Sequence, residues 1–100
     1  MTVERHVYLK FADEFSSDDA IAEVIERTPV MLAPVPQVLR LRVGRPVDER
    51  SAAAWDLVLV IELTSADEVD EYREHPAHRS YYLDYLKPRL GVIKAWNFGF

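Results

Sequence analysis

Residues 55–63 read WDLVLVIEL and contain the longest aliphatic run of the chain, Leu57–Ile61. Side chains alternate between the two faces of a strand, so one face here carries four large apolar residues and the other carries two valines. The first set is Leu57, Leu59, Ile61 and Leu63, and the second is Val58 and Val60. A strand that is apolar on both sides must be covered on both sides. In a chain of 100 residues the simplest second cover is the sheet of another copy, which predicts a homodimer packed sheet to sheet.

The segments that precede this strand carry the patterns of a strand, a helix and a second strand. Residues 3–11 alternate as a half-buried strand should, with Val3, Val7, Leu9 and Phe11 on one face and His6, Tyr8 and Lys10 on the other. A helix is predicted from Ser16 or Ser17, either of which can cap it, to Pro29. Residues 38–43 alternate again as a second strand, and residues 47–54 are polar and small, which predicts a loop.

After residue 63 the pattern changes to helical spacing. Ala66, Val69 and Tyr72 mark the inner stripe of a helix that His75-Pro76 interrupts, a second helical piece runs to about Leu86, and residues 92–98 predict the last strand. The order strand, helix, strand, strand, helix, strand is the split βαβ pattern of ferredoxin-like α+β domains. We therefore expect residues 1–100 to form one domain, with a four-stranded antiparallel sheet and helices on one of its faces.

The composition argues against several classes of partner and cofactor. A formal net charge of −5 leaves no basic field to hold a nucleic acid or an anionic membrane. No segment approaches the roughly 20 apolar residues that cross a bilayer, and Met1–Lys10 lacks the apolar centre of a signal peptide. The chain has no cysteine, which removes disulfides, iron–sulfur clusters and thiolate metal sites. This usage suits a reducing compartment, so a cytoplasmic location is expected.

The one dense group of reactive side chains is residues 72–78, which read YREHPAH and hold two of the three histidines. On a straight helix Tyr72 and His78 would point about 120° apart, because six residues advance roughly 600°. Pro76 disfavours helical dihedral angles at His75 and lacks an amide donor, so we expect the chain to bend here. A bend allows the phenol and the imidazole to converge.

The chemistry of this pair suits a carbonyl substrate. An imidazole with a pKa of about 6.5 exchanges protons near neutral pH, and a phenol with a pKa of about 10 donates a hydrogen bond. Together they can enolise and protonate a carbonyl compound. The alternative is that both side chains complete the rim of a small core. A metal site at His75 and His78 is disfavoured because the bend spoils their shared face, and His75 is better explained as the residue that caps the next helix.

Four segments resemble the stress-responsive A/B barrel (Dabb) family: HVYLKF at 6–11, VGR at 43–45, YREHPAH at 72–78 and WNF at 96–98. The resemblance implies a dimeric α+β barrel. The family includes polyketide cyclases of the olivetolic acid cyclase type, in which a tyrosine and a histidine placed like Tyr72 and His78 close a ring by a cofactor-free aldol reaction.

The resemblance also implies roles for two further positions. The cyclase histidine is oriented by a carboxylate, and the matching position here is Asn97, which can accept the imidazole N–H but adds no charge. The histidine of the family's first strand matches Arg5 in this sequence. His6 is then one residue off and faces the other side of the sheet unless a bulge intervenes.

We therefore expect a homodimeric enzyme that needs no metal or organic cofactor and acts on a small hydrophobic molecule with a carbonyl group. His78 would be the general base and acid, Tyr72 the proton or hydrogen-bond donor, and the reaction most concretely an aldol cyclisation of a polyketide-like chain. The alternative is a noncatalytic barrel that binds a small ligand or contributes to stress resistance; a cofactor-free monooxygenase is a third possibility that no residue favours. The pocket is expected to draw on His6, Tyr8, Leu9, Val58, Val60, Tyr81, Tyr82 and Trp96.

Overall fold

The computed structural model describes residues 1–100, which form a four-stranded antiparallel sheet with helices on one face. The strands are β1 (Val3–Phe11), β2 (Arg40–Gly44), β3 (Leu57–Leu63) and β4 (Leu90–Gly99). Their order across the sheet is β2-β3-β1-β4, so the two central strands are β3 and β1. This is the ferredoxin-like α+β fold that the alternation and helical spacing predict.

Four α-helices connect the strands: α1 (Asp18–Leu32), α2 (Glu49–Ala54), α3 (Glu68–Glu74) and α4 (Pro76–Ser80). After α4 the chain continues through a π-helical turn, Tyr81–Leu86, and a 3-10 turn, Lys87–Arg89, into β4. None of these helices combines the length and the apolar character needed to span a bilayer.

The core lies between the helices and one face of the sheet, called here the inner face. On β3 the inner face carries Leu57, Leu59, Ile61 and Leu63, all of them buried. Val58 and Val60 point to the opposite, outer face and are only half-buried. The pairing of β1 with both neighbours places its odd-numbered residues on the inner face and its even-numbered residues on the outer face. The two faces therefore have different surroundings in the single chain.

The prediction that the first helix ends at Pro29 is wrong, because α1 runs three residues further, to Leu32. Ser17 begins the helix as expected, its hydroxyl accepting the N–H of Ala20 at 3.2 Å. Pro29 costs a helix interior about 3 kcal/mol. Leu32, at 1 % exposure, returns roughly 1.5–3 kcal/mol through its burial. Burial of Leu32 in the last turn therefore offsets much of the local cost of the proline.

The predicted loop at residues 47–54 is also wrong for its last six residues, which form α2. Asp48 caps this helix, its carboxylate accepting the N–H of Ser51 at 2.8 Å. Hydrogen bonds from the backbone and side chain of Ser51 lower the pKa of the Asp48 carboxyl. The local signal was an acidic cap followed by three consecutive alanines, Ala52–Ala54, which are the strongest helix formers.

Candidate functional site

A cavity of about 610 Å³ lies between the inner face of the sheet and the segment that runs from α3 through the π-helical turn. Nine of its fifteen lining residues are hydrophobic, which together with this volume is typical of a small-molecule site. The lining residues are Arg5, Val7, Leu59, Asp70, Tyr72, Arg73, Glu74, His78, Arg79, Tyr81, Tyr82, Leu83, Leu86, Ile93 and Ala95. The sheet supplies its floor, and the helical segment supplies its walls.

The bend expected at His75-Pro76 is present and brings Tyr72 and His78 together. The helix stops at Glu74, His75 adopts extended dihedral angles, and Pro76 opens α4. His75 caps the new helix, its Nδ1 accepting the N–H of Ala77 at 3.1 Å. The rings of Tyr72 and His78 then lie 4.5 Å apart between centroids, at an angle of 54°. Both side chains line the cavity.

The same bend holds the imidazole of His78 in one orientation. In a continuous helix the Arg73 carbonyl would accept the N–H of Ala77, four residues on. That N–H is instead bound by His75, and the Arg73 carbonyl lies 2.9 Å from Nδ1 of His78. A carbonyl oxygen can only accept, so Nδ1 carries the proton and donates it. The lone pair of His78 is therefore on Nε2.

The pKa of His78 is lowered from its usual value. Burial is the main cause, because a half-buried imidazolium loses solvation. The hydrogen bond to Arg73 opposes this effect, while the positive charge of Arg5 adds to it. His78 is therefore held in its neutral, proton-accepting form at neutral pH.

Tyr72 differs from His78 in that its hydroxyl stays protonated and can donate a hydrogen bond. It is 2 % exposed, and burial raises the pKa of its phenol far above the ordinary value, although Arg5 acts in the other direction. No protein group hydrogen-bonds to its hydroxyl, whereas the hydroxyl of Tyr81 lies 2.7 Å from Oγ1 of Thr28. The Tyr72 hydroxyl is thus the uncommitted phenolic donor of the two buried tyrosines.

Tyr81 and Tyr82 line the cavity, as the sequence predicts, but on a π-helical turn instead of an α-helix. Tyr81 and Leu86 would point about 140° apart on an α-helix, and the wider turn buries both. Thr28 donates to the Val24 carbonyl at 2.7 Å, so Tyr81 donates its own hydroxyl hydrogen to Thr28. Burial raises the pKa of Tyr81 to about 12. The ring of Tyr82 lies parallel to that of His78, at 6.5 Å.

Arg5 is a charged cavity residue that the predicted pocket does not include. It projects from the inner face of β1 between Val3 and Val7, and lines the cavity beside Tyr72 and His78. The only hydrogen bond of its side chain runs from Nη1 to Oδ1 of Asn97, at 3.0 Å. Desolvation lowers the pKa of Arg5. The available signal was a charged residue at an odd-numbered position of a strand whose other odd-numbered residues are apolar.

Asn97 does not orient His78 in the structure. It pairs with Arg5 across β1 and β4, and its amide oxygen accepts from the Arg5 guanidinium. The orienting acceptor for His78 is the Arg73 carbonyl, on the same helical segment as the histidine. This prediction fails because the bend itself frees a nearer acceptor than the last strand can offer.

Six of the predicted pocket residues lie away from the cavity. His6, Tyr8, Val58, Val60 and Trp96 occupy even-numbered positions, and the strand pairing runs without a bulge from Val3 to Lys10, so all five lie on the outer face. Leu9 is on the inner face but lies in the hydrophobic core and does not line the cavity. His6 bonds to Glu4 at 2.9 Å and packs edge-on against Phe98, with 5.8 Å between ring centroids.

No group of three or more histidine or carboxylate side chains converges in the geometry of a metal site. His75, the residue on which a metal reading depended, uses its Nδ1 to cap α4.

The profile of the stress responsive A/B barrel domain family matches residues 3–95, which is nearly the whole chain. No curated protein matches the sequence.

Solved structures of the same fold come from bacteria and plants. A dimeric ferredoxin-like protein of unknown function from Thermobifida fusca is 23% identical, with a TM-score of 0.81 over 100% of this chain and 92% of the other. An Arabidopsis thaliana protein is 19% identical, with a TM-score of 0.84 over 97% and 93% of the two chains. A hydroxynitrile lyase from Passiflora edulis is 13% identical, with a TM-score of 0.80 over 97% and 91%. At these identities the likeness shows the fold.

Proposed function

Because the chain belongs to the stress-responsive A/B barrel (Dabb) family, we propose that it is an acid/base enzyme that needs no cofactor and acts on a hydrophobic carbonyl substrate. The most concrete form of the reaction is the aldol cyclisation of a polyketide-like chain. One observation supports it above all others: a neutral histidine and a protonated tyrosine, 4.5 Å apart between ring centroids, line the same largely apolar cavity.

The first step is proton removal from the carbon next to a carbonyl group. Nε2 of His78 accepts this proton, because Nδ1 is already protonated and bound to Arg73. The C–H electron pair passes into the carbonyl and leaves an enolate oxygen, to which the Tyr72 hydroxyl donates a hydrogen bond. Since burial keeps Tyr72 protonated, this donor is present throughout the working pH range of an ordinary enzyme.

The second step joins the enolate carbon to a second carbonyl carbon of the same chain. The new C–C bond turns that carbonyl oxygen into an alkoxide, which takes back the proton held by the His78 imidazolium. The proton that His78 removes in the first step is therefore returned in the second, and every proton and electron pair is accounted for. The cavity walls contribute by folding the substrate so that its two carbonyl groups approach each other.

The Passiflora protein of the same fold is a hydroxynitrile lyase by name. A lyase on this fold favours catalysis over the alternative of a noncatalytic barrel, although a shared fold by itself does not fix a reaction. The noncatalytic alternative rests on the burial of Tyr72, which belongs to the hydrophobic core cluster as well as to the cavity lining.

Enolisation can be tested without knowing the natural substrate. We would follow deuterium uptake at the α-carbon of 4-phenylbutan-2-one in D₂O by NMR. We expect the protein to accelerate uptake over buffer. His78→Ala should remove roughly 10²–10⁴-fold of that acceleration. Tyr72→Phe should remove about 10²-fold, as expected for an oxyanion donor.

His6→Ala is the matched control, because it removes a histidine from the opposite side of the sheet and should leave the rate of uptake unchanged. Uptake at the buffer rate with wild-type protein, or uptake that survives His78→Ala, would leave the noncatalytic barrel as the better account.

We also propose that the chain forms a homodimer through the outer face of its sheet. This face presents Trp96 and Phe98, which are 51% and 54% exposed in the single chain, beside Tyr8 and Trp55. Monomers seldom leave so many large side chains open to solvent on one face. The Thermobifida protein of the same fold is dimeric, which supports the same arrangement here.

A further inference from the structure

Arg5 is a charged side chain in an apolar setting. Its strand neighbours on the inner face, Val3 and Val7, are both buried, and Ile93 and Ala95 of β4 line the same cavity. A half-buried guanidinium loses much of its hydration, and a fold normally compensates such a loss with a counter-charge.

The chain supplies no such counter-charge. Its ion pairs within 4.0 Å are His6 with Glu4, Lys10 with Asp56, and Arg73 with Asp70, so Arg5 is in none of them. Asn97 accepts from one Nη1 atom, and it is neutral. A guanidinium carries five N–H donors, so most of those of Arg5 remain for a ligand in the cavity.

We propose that Arg5 binds the carboxylate of the substrate, and that the cavity accepts an amphiphilic acid whose reactive carbonyl lies near its carboxylate end. The proposal rests on the proposed function for the identity of the reactive group, and on Arg5 alone for the negative charge. The flat fork of a guanidinium matches the two oxygens of a carboxylate. The other charged lining residues, Asp70, Arg73, Glu74 and Arg79, balance one another in sign, so the net charge of the lining is the single positive charge of Arg5.

The position of Arg5 would place that carbonyl at the reacting pair. Arg5, Tyr72 and His78 line one cavity, and the charge of Arg5 acts on both of the other groups. A carboxylate held by Arg5 therefore brings the carbon atoms attached to it beside the phenol and the imidazole. The remaining apolar chain would lie against the aliphatic and aromatic walls.

The test compares two probes of equal shape, 4-phenylbutanoate and 4-phenylbutanamide, by calorimetric titration, with amide-resonance mapping to place them in the cavity. We expect the carboxylate to bind roughly tenfold to hundredfold more tightly, as a charge-assisted hydrogen bond provides. Arg5→Gln should abolish this preference, and Arg5→Lys should keep part of it. Arg50→Gln, which removes an exposed arginine of α2, should leave the preference intact.

Equal binding of the two probes, binding of neither, or a preference that persists in Arg5→Gln would each overturn the proposal. The result is independent of catalysis, because His78→Ala removes the base and leaves Arg5 in place. A carboxylate preference in His78→Ala, combined with no deuterium uptake by wild-type protein, would contradict the enzyme assignment and support the anion site at Arg5. Deuterium uptake without a carboxylate preference would support the enzyme assignment and contradict the anion site.

Discussion

The lone pair of the His78 imidazole lies on Nε2 because two residues that precede Pro76 divide the hydrogen bonds of this junction between them. The ring of His75 accepts the N–H of Ala77, and the Arg73 carbonyl, which is left free, accepts the Nδ1–H of the His78 ring. The sequence allowed Tyr72 and His78 to be chosen, since they are a phenol and an imidazole beside a proline that bends the chain. It did not allow the orienting acceptor to be chosen, because a backbone carbonyl leaves no mark on a side-chain pattern.

Arg5 was missed for a different reason. Its partner, Asn97, lies 92 positions away and is defined only by the register of β1 against β4. Alternation alone assigns Arg5 to the inner face, yet a charged residue there contradicts the apolar pattern that defines the face. Residues that break the apolar pattern of a buried face are expected at functional sites.

The lowered pKa of His78 predicts how stability depends on pH. Between its folded pKa and the unfolded value of about 6.5, the unfolded chain binds more protons than the folded one. The contribution of His78 is therefore fully present above about pH 6.5 and is lost as the pH falls through the folded pKa.

Urea unfolding between about pH 5 and pH 8 would measure this effect. We expect the free energy of unfolding to fall on acidification in the wild type, and to fall less steeply in His78→Gln. Equal slopes for the two proteins would contradict a depressed pKa at His78.

The sequence predicts the limits of the strands correctly, but it does not predict where the helices end. All four strands start and end within two residues of their predicted limits, because alternation between an apolar core and an exposed face is a local signal. The end of α1 depends on Leu32 reaching the core, and the π-helical turn depends on burying Tyr81 and Leu86 together. Both outcomes are set by packing partners distant in sequence.

The junction of α3 and α4 gives a prediction about His75 as a positioning residue. His75→Ala should cost about 1 kcal/mol of stability through loss of the cap. It should also release the N–H of Ala77 to compete for the Arg73 carbonyl, and so loosen His78 and slow deuterium uptake.

His75→Asn keeps a capping side chain and should restore both quantities. Urea unfolding together with the deuterium-uptake assay would check this pair of variants. Loss of stability without loss of rate in His75→Ala would mean that the cap does not position the base.

For the whole molecule, the exposed aromatic residues of the outer face predict where two copies meet. Trp96→Glu places a charge on that face and should weaken dimerisation by roughly 30-fold or more, since a buried aromatic anchor at an interface is worth about 2 kcal/mol or more. Sedimentation equilibrium would report the shift from dimer to monomer.

Val30→Glu is the matched control, because Val30 is 65% exposed on α1, in the helical layer on the other side of the sheet. It should leave the oligomeric state as it is. A wild-type protein that sediments as a monomer at high concentration would contradict the assignment of this face.

Alternation along the strands of the sheet separates the residues that line the cavity from those of the outer face. In β1, β3 and β4 the residues that touch the cavity, Arg5, Val7, Leu59, Ile93 and Ala95, all have odd numbers. The aromatic and valine side chains that these three strands place on the outer face all have even numbers. A point substitution can therefore change the cavity lining without changing the outer face, or the reverse. The two faces are thus free to diverge separately among related chains. Insertion of a single residue in β1 after His6 would exchange the faces of the residues before it, turning Arg5 to the outer face and His6 to the cavity.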